Sequence, residues 1–157
     1  MIDSEGHTVV FQQETLAECL DDHTKALLQM HWSEVAPHQD IPLDPSYDSY
    51  YKLEEMGALR IYVLRQEGLV QGYAVFFVLP NMKYQTSIHA TADLVYLVPW
   101  LRKQTIGAKF LGWVDGQLRK EGVQIVRLAV APTFGPLLEQ LGYEQKQVVY
   151  EKRLDRG

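Results

Sequence analysis

The chain has 157 residues, 46% of them hydrophobic and 22% charged, which is the composition of a globular protein with a buried core. Its net charge of −5 excludes the basic surface expected of a nucleic-acid-binding protein, and no apolar run is long enough to span a membrane. The single cysteine, Cys19, excludes an internal disulfide and a cysteine-based zinc site. We therefore expect one domain over residues 1–157.

The first third of the chain predicts one strand and two helices. Residues 8–12 have the character of a short strand, and residues 14–35 carry apolar side chains at helical spacing. Ala36-Pro37 ends this first helix, because the residue before a proline disfavours helical geometry. Residues 38–46 predict an irregular loop, and residues 46–56 predict a second helix.

The remaining two thirds predict a mixed sheet with helices on both sides, which is an α/β protein of α+β style. Residues 59–66 and 69–79 form a predicted hairpin around Glu67-Gly68. A long strand follows over residues 86–98, and the main helix follows over residues 105–121. The last predicted elements are a strand over 123–130, a short helix over 134–141 and a strand over 148–153.

Residues 94–111 combine a buried strand, a short basic loop and the start of the main helix. The helix begins near Thr105, whose side chain is a favourable N-cap. Such a turn directs unpaired backbone N–H groups and the positive end of the helix to one spot, which suits a phosphate group. Four residues add positive charge or leave space for a ligand: Arg102, Lys103, Gly107 and Ala108.

The hexapeptide Arg102-Lys103-Gln104-Thr105-Ile106-Gly107 resembles the acyl-CoA pyrophosphate loop of the GCN5-related N-acetyltransferases, the GNAT family. The family pattern is Gln/Arg-x-x-Gly-x-Gly/Ala, and Thr105 stands where the family has its middle glycine. The flanking strand and helix follow in the family's order, and the resemblance covers residues 8–154. Over residues 57–154 the chain also resembles acetyltransferase-like proteins of tailed bacteriophages. Four residues carry this second likeness: Gly72, Tyr73, Tyr84 and Asp93.

The GNAT resemblance implies a mixed, mostly antiparallel sheet of six to seven strands, flanked by helices on both faces. It also implies an enzyme that moves an acetyl group from acetyl-CoA to a primary amine by direct attack in a ternary complex, without a metal. The amine belongs to a protein lysine, an N-terminus or a small molecule. The implied acyl-CoA-binding residues are Leu97 and Val98 through their backbone, together with Arg102, Lys103, Gln104, Thr105, Ile106, Gly107 and Ala108.

The alternative is a GNAT-shaped binding protein, or a phage virion-associated protein, with little catalysis. Two departures from the family motivate this alternative. One is Thr105 in the loop. The other is Leu138, which occupies the position where many family members have a tyrosine that protonates the departing thiolate.

Asp93 is the first candidate for the catalytic base. It is the only acidic residue among residues 86–100, and a carboxylate in an apolar strand is costly unless it is paired or functional. The two-residue period of a strand predicts that Thr91, Asp93, Val95 and Leu97 share one face. In the family, a base or a water-holding residue often occupies the place of Asp93 or Thr91. The other interpretation is a hydrogen-bonded structural carboxylate.

His31 and Glu34 are the second group of candidates. They lie three residues apart at the end of the first long helix, so they share a face, and the family fold implies that they border the acceptor pocket. An imidazole is suited to base catalysis near neutral pH. The other interpretation is a half-exposed helix end. Aromatic residues near the long loop either wall the acceptor pocket or pack in the core: Trp32, Tyr47, Tyr50 and Tyr51.

The expected partners are an acyl-CoA and an amine acceptor, with neither nucleic acid nor membrane. Residues 1–7 lack the basic and apolar regions of a signal peptide, so we expect a cytoplasmic protein. If a phage encodes it, the compartment is the host cytoplasm or the virion. A homodimer and a phage or host protein partner stay open, and the sequence does not identify the acceptor.

Overall fold

A single five-stranded sheet organises residues 1–127, and the computed structural model describes residues 1–103 and 105–156 of the chain. The strands are β1 (Val9–Glu14), β2 (Leu59–Gln66), β3 (Leu69–Pro80), β4 (Ile88–Leu97) and β5 (Ile125–Arg127). They lie side by side in chain order. Strands β1 to β4 are antiparallel to one another in sequence, and β5 is parallel to β4. The predicted mixed, mostly antiparallel sheet is thus confirmed, with five strands in the described part of the chain rather than six or seven.

Helices cover both faces of this sheet. They are α1 (Leu16–Cys19), α2 (Asp22–Val35), α3 (Tyr47–Glu55) and α4 (Ile106–Lys120), and a 3₁₀ turn at Pro99–Leu101 precedes α4. His31 of α2 contacts Tyr73 of β3, whereas Trp113 of α4 packs edge-on against Tyr62 of β2, with ring centroids 5.8 Å apart. Tyr73 pairs with Val63, so these two side chains project from the same face of the sheet. Tyr62 precedes Val63 and therefore projects from the opposite face.

The first predicted helix is wrong as a single element, because the chain breaks it into α1 and α2. Thr15 begins α1 with a capping box, in which its side chain accepts from the Glu18 N–H and the Glu18 side chain accepts from the Thr15 N–H. The Asp21 carboxylate then accepts from the Thr24 N–H at 2.8 Å and begins α2. Two good N-caps in succession therefore replace one continuous helix with two.

The hairpin and the main helix agree with their predictions. Glu67 and Gly68 both have positive φ, at 48° and 83°, as a two-residue turn between twisted strands requires. Helix α4 ends before Gly122, whose φ is 85°. Its buried residues are Ile106, Phe110, Leu111, Val114 and Leu118.

Residues 128–157 form a second compact unit, of which 128–156 are described. It contains a 3₁₀ turn at Pro132–Phe134 and a short helix, α5 (Gly135–Gln140). The strand predicted over residues 148–153 is wrong, because no described residue after Arg127 lies in a strand. Val149 and Tyr150 are 73% and 91% exposed. The high β-propensity of these residues does not make a strand here, because β-propensity reflects packing against neighbouring strands. This segment pairs with no described strand.

Candidate active site

Among the described residues, strand β4 loses the strand beside one of its edges halfway along its length. Strand β5 pairs with β4 only at His89, Ala90 and Thr91. Just after the C-terminal end of β4, the Val98 N–H donates to the Gln71 carbonyl of β3 at 2.9 Å. Backbone groups alternate in direction along a strand, so the N–H and C=O of Leu97 and Val95 point to the edge away from β3. The Leu97 N–H is thus directed to this edge, whereas the Val98 N–H is already used, and the acyl-CoA role of both residues stays a prediction.

A β-bulge places Asp93 apart from its neighbours in β4. Val75 pairs with Leu94 and Phe76 pairs with Ala92, which leaves Asp93 as the extra residue. The alternation of faces therefore changes at this point. Thr91 shares the face of its partner Phe77, while Leu97 lies opposite Gly72 on the α4 face. The prediction that Thr91, Asp93, Val95 and Leu97 share one face is wrong, because it assumed an unbroken strand.

The Asp93 carboxylate is held by a tyrosine of α3. The Tyr50 hydroxyl donates to Asp93 Oδ2 at 2.5 Å. Burial, and next the nearby Asp93 carboxylate, raise the pKa of Tyr50 well above its ordinary value, so Tyr50 remains a donor across the physiological range. The sequence offered Tyr50 only as a pocket wall or as a core residue. Its pairing with Asp93 joins residues 43 positions apart, and no local pattern signals it.

His31 is partly buried in a cluster of tyrosines. Its Nδ1 lies 2.7 Å from the Tyr73 hydroxyl, and its ring stacks on Tyr96 with centroids 4.5 Å apart. Burial lowers the pKa of His31 below its ordinary value; the Glu34 carboxylate acts in the opposite direction and the Arg102 guanidinium in the same direction. The neutral imidazole is therefore favoured, which is the form that accepts a proton.

Glu34 and Arg102 form a clamp between the end of α2 and the end of β4. Arg102 Nη2 donates to Glu34 Oε2 at 2.8 Å, and Nη1 donates to Oε1. Arg102 Nε donates to the Leu97 carbonyl at 2.8 Å, and the guanidinium lies over the Tyr96 ring at 5.2 Å. The two residues were predicted for different tasks, but the fold brings them together. The donors of Arg102 thus face Glu34 and Leu97.

The first turn of α4 lies directly against the end of β4. Thr105 occupies the N-cap position as predicted, but its side chain makes no capping hydrogen bond. No acidic side chain lies in the first turn, so its N–H groups and positive end are not neutralised there. A Cβ added to Gly107 would lie 3.2 Å from Leu97 Cδ2, so Gly107 provides the close approach of helix to strand.

The other predicted loop residues differ in what they can offer a ligand. Lys103 is exposed and Ala108 is half-buried. Ile106 is 4% exposed, so only its backbone can face a ligand. Gln104 lies outside the described residues.

A cavity of about 460 Å³ lies on the α2 and α3 face of the sheet. Its walls come from α1, α2, α3, the loop before α3, and the strands β2, β3 and β4. Three of the four predicted aromatic residues line it, namely Trp32, Tyr47 and Tyr50, and Tyr51 does not. His31 also lines the cavity, as does Leu94, so the cavity reaches one candidate base and the strand residue next to Asp93.

Nowhere in residues 1–103 and 105–156 do three or more His, Cys, Asp or Glu side chains come together in a group that could hold a metal ion. Within the same residues, no helix has both the length and the apolar character needed to cross a membrane.

The fold is that of solved N-acetyltransferases. Glucosamine-6-phosphate N-acetyltransferase from Arabidopsis thaliana matches with a TM-score of 0.70 at 12% identity, over 94% of this chain and 99% of that one. Ribosomal-protein-alanine N-acetyltransferase from Brucella melitensis gives 0.67 at 18%, over 94% and 100%. A predicted acetyltransferase with acetyl-CoA from Clostridium acetobutylicum gives 0.69 at 11%, over 96% and 99%. No protein-family model and no curated protein matches the sequence.

Proposed function

We propose that this protein transfers an acetyl group from acetyl-CoA to a primary amine by direct attack in a ternary complex. The observation that carries the proposal is the edge of β4 beyond Thr91, where the pairing with β5 ends and the α4 N-terminus lies against Leu97. A free strand edge offers hydrogen bonds to the amide-containing pantetheine arm, and the adjacent helix N-terminus suits the pyrophosphate. The Clostridium acetobutylicum neighbour, solved with acetyl-CoA, supports the same ligand.

The arrangement suggests how each part of acetyl-CoA would be held. The backbone of Val95 and the N–H of Leu97 serve the pantetheine amides, because the Leu97 carbonyl already accepts from Arg102. The first-turn N–H groups of α4, near Ala108, serve the pyrophosphate. Lys103 is exposed and contributes positive charge. Arg102 has a different role in this proposal. Its guanidinium holds Glu34 and the Leu97 carbonyl, and so fixes the end of α2 against the end of β4.

In the proposed reaction, the amine nitrogen attacks the thioester carbonyl carbon. The C–N bond forms, the C–S bond breaks, and the amine proton passes to Asp93 directly or through a water molecule. The Tyr50 hydroxyl occupies Asp93 Oδ2 and leaves Oδ1 to accept this proton. His31 lines the same cavity and shapes the acceptor end. The departing thiolate takes its proton from water, because Leu138 stands where the family has a tyrosine.

A pair of variants at Ala108 tests the phosphate site. Ala108 is the third residue of α4, where an aspartate favours the helix through its dipole but repels a pyrophosphate. Ala108→Asp should therefore keep or raise the melting temperature and weaken acetyl-CoA binding at least tenfold by calorimetry. Ala108→Asn has the same shape without the charge and should bind acetyl-CoA much more tightly than Ala108→Asp.

Turnover is measured by thiol release from acetyl-CoA with a panel of primary amines. Equal affinity of Ala108→Asp and Ala108→Asn for acetyl-CoA would contradict the phosphate site. If no amine in the panel raises the rate of thiol release above that of acetyl-CoA hydrolysis, acetyl transfer itself is contradicted.

A further inference from the structure

The cavity beside the candidate bases is apolar along nearly all of its wall. Among the described residues, Asp44 is the only acidic residue that lines it, and no lysine or arginine does so. The other lining residues are mostly aliphatic, aromatic or proline. Its volume lies within the range of small-molecule sites, about 300–1,000 Å³.

The cavity has a polar end and an apolar end, and the sheet order gives their direction. At β4, the cavity is lined by Leu94, by His31, which stacks on Tyr96, and by Tyr50, which holds Asp93. At β2, it is lined by Ile61 and Val63, with Leu16 and Cys19 of α1 beside them. The two ends lie two strand spacings apart, which is about 10 Å.

We propose that the acceptor is a primary amine at one end of an extended apolar group, an alkyl or aryl-alkyl chain about 10 Å long. This inference rests on the proposed acetyl transfer and names the substrate class for the same site. The amine lies at the β4 end, near Asp93 and His31, and the apolar group extends towards β2. A polyhydroxylated acceptor would leave its hydroxyl groups without partners along the apolar wall, which is costly.

A length series of linear amines tests the direction and the size of the cavity. Each methylene added from propylamine upward should raise kcat/KM about two- to fourfold, because it is buried against apolar walls. The rise should stop near eight carbons, where an extended chain reaches β2, about 10 Å from β4. An ethylene-glycol amine of the length of octylamine should react at least about 30-fold less efficiently, since its ether oxygens lose water without gaining donors.

Leu43 provides a variant that alters the wall without disturbing the core. It lines the cavity from the loop before α3 and is 37% exposed, so a polar residue is tolerated there by the fold. Leu43→Asp should lower kcat/KM for octylamine at least tenfold, because a carboxylate replaces an apolar part of the wall. Met82→Asp is the matched control, because Met82 is a fully exposed loop residue that does not line the cavity.

Calorimetry with N-octylacetamide, the expected product, separates the two proposals. If no amine is acetylated but wild type binds N-octylacetamide and Leu43→Asp does not, acetyl transfer fails and the apolar site stands. If the ethylene-glycol amine or glucosamine reacts as well as octylamine, acetyl transfer stands and the apolar acceptor is wrong. Absence of N-octylacetamide binding to wild type, with no rise along the amine series, also overturns the inference.

Discussion

Replacing Gly72 with alanine should destabilise the protein by about 1–3 kcal/mol, because the new methyl group has no room. A Cβ at Gly72 would lie 2.8 Å from Leu97 Cδ1 and 3.1 Å from the Tyr96 carbonyl oxygen. The Tyr96 carbonyl is a backbone group of β4, which is paired with β3, so it cannot move away freely even if the Leu97 side chain shifts.

The same change at Gly107 should have a much smaller effect on stability. The added Cβ meets only Leu97 Cδ2, at a distance that a shift of a few tenths of an ångström relieves. Alanine also favours the helix by up to about 1 kcal/mol relative to glycine, which offsets the contact. Gly107→Ala should therefore lie within about 1 kcal/mol of wild type. A bulky residue at Gly107 tests packing as well as ligand binding, so Ala108 is the better probe of the phosphate site.

Urea unfolding of a double-mutant cycle measures the contact directly. In a Leu97→Ala background, Gly72→Ala should cost at least about 1 kcal/mol less than in wild type, because the Cδ1 contact is gone. The Tyr96 carbonyl remains close, so the rescue is partial. The reasoning is refuted if Gly72→Ala costs the same in both backgrounds, or if Gly107→Ala is as destabilising as Gly72→Ala.

Three further outcomes are expected. Asp93→Asn should lower kcat about 10²-fold and leave acetyl-CoA affinity unchanged by calorimetry; full turnover would make Asp93 structural and direct attention to His31. Arg102 lowers the pKa of Glu34, so this half-exposed pair stabilises the fold above the ordinary Glu pKa of 4.5 and loses its effect as pH falls through the folded value. Glu34→Gln should therefore cost about 0.2–1 kcal/mol at pH 7 in urea unfolding and progressively less as pH falls below 4.5. Burial lowers the pKa of His31, so protonating its imidazole costs more in the folded protein than in the unfolded chain. The folded state therefore has its full stability above pH 6.5 and loses stability as pH falls through the folded-state pKa of His31. His31→Gln should flatten this part of the stability–pH curve, and an unchanged slope would contradict the burial argument.

The elements that the sequence predicted well are those that local residues determine. The Glu67-Gly68 turn needs only two residues with positive φ between two apolar runs, and the α4 stripe repeats over 15 residues. The split of the first helix was also encoded locally, by Thr15 and Asp21, but the continuous apolar spacing concealed it. Here two capping side chains outweighed a helical period that appeared unbroken.

The site geometry was less predictable, because long-range pairings create it. The bulge at Asp93 depends on how β4 aligns with β3, and a one-residue change in register alters which side chains share a face. Tyr50 reaches Asp93 across 43 residues, and Arg102 reaches Glu34 across 68. Residue type identified Asp93, His31, Glu34 and Arg102 as chemically capable side chains, but it could not assign their partners.

The clamp between Glu34 and Arg102 changes the interpretation of the loop sequence. An arginine at the first position of a phosphate-loop pattern suggests a direct charge for the ligand, and Arg102 was predicted on that basis. Its guanidinium instead has a bidentate partner in Glu34, a carbonyl partner in Leu97 and an aromatic face in Tyr96. Three of the five N–H donors of Arg102 are used by Glu34 and Leu97, and the Glu34 carboxylate beside them would repel a phosphate. The backbone of α4 and the exposed Lys103 are therefore the stronger candidates for the pyrophosphate. Arg102 is better understood as the residue that holds the acceptor side of the cavity against the strand where acetyl transfer is proposed.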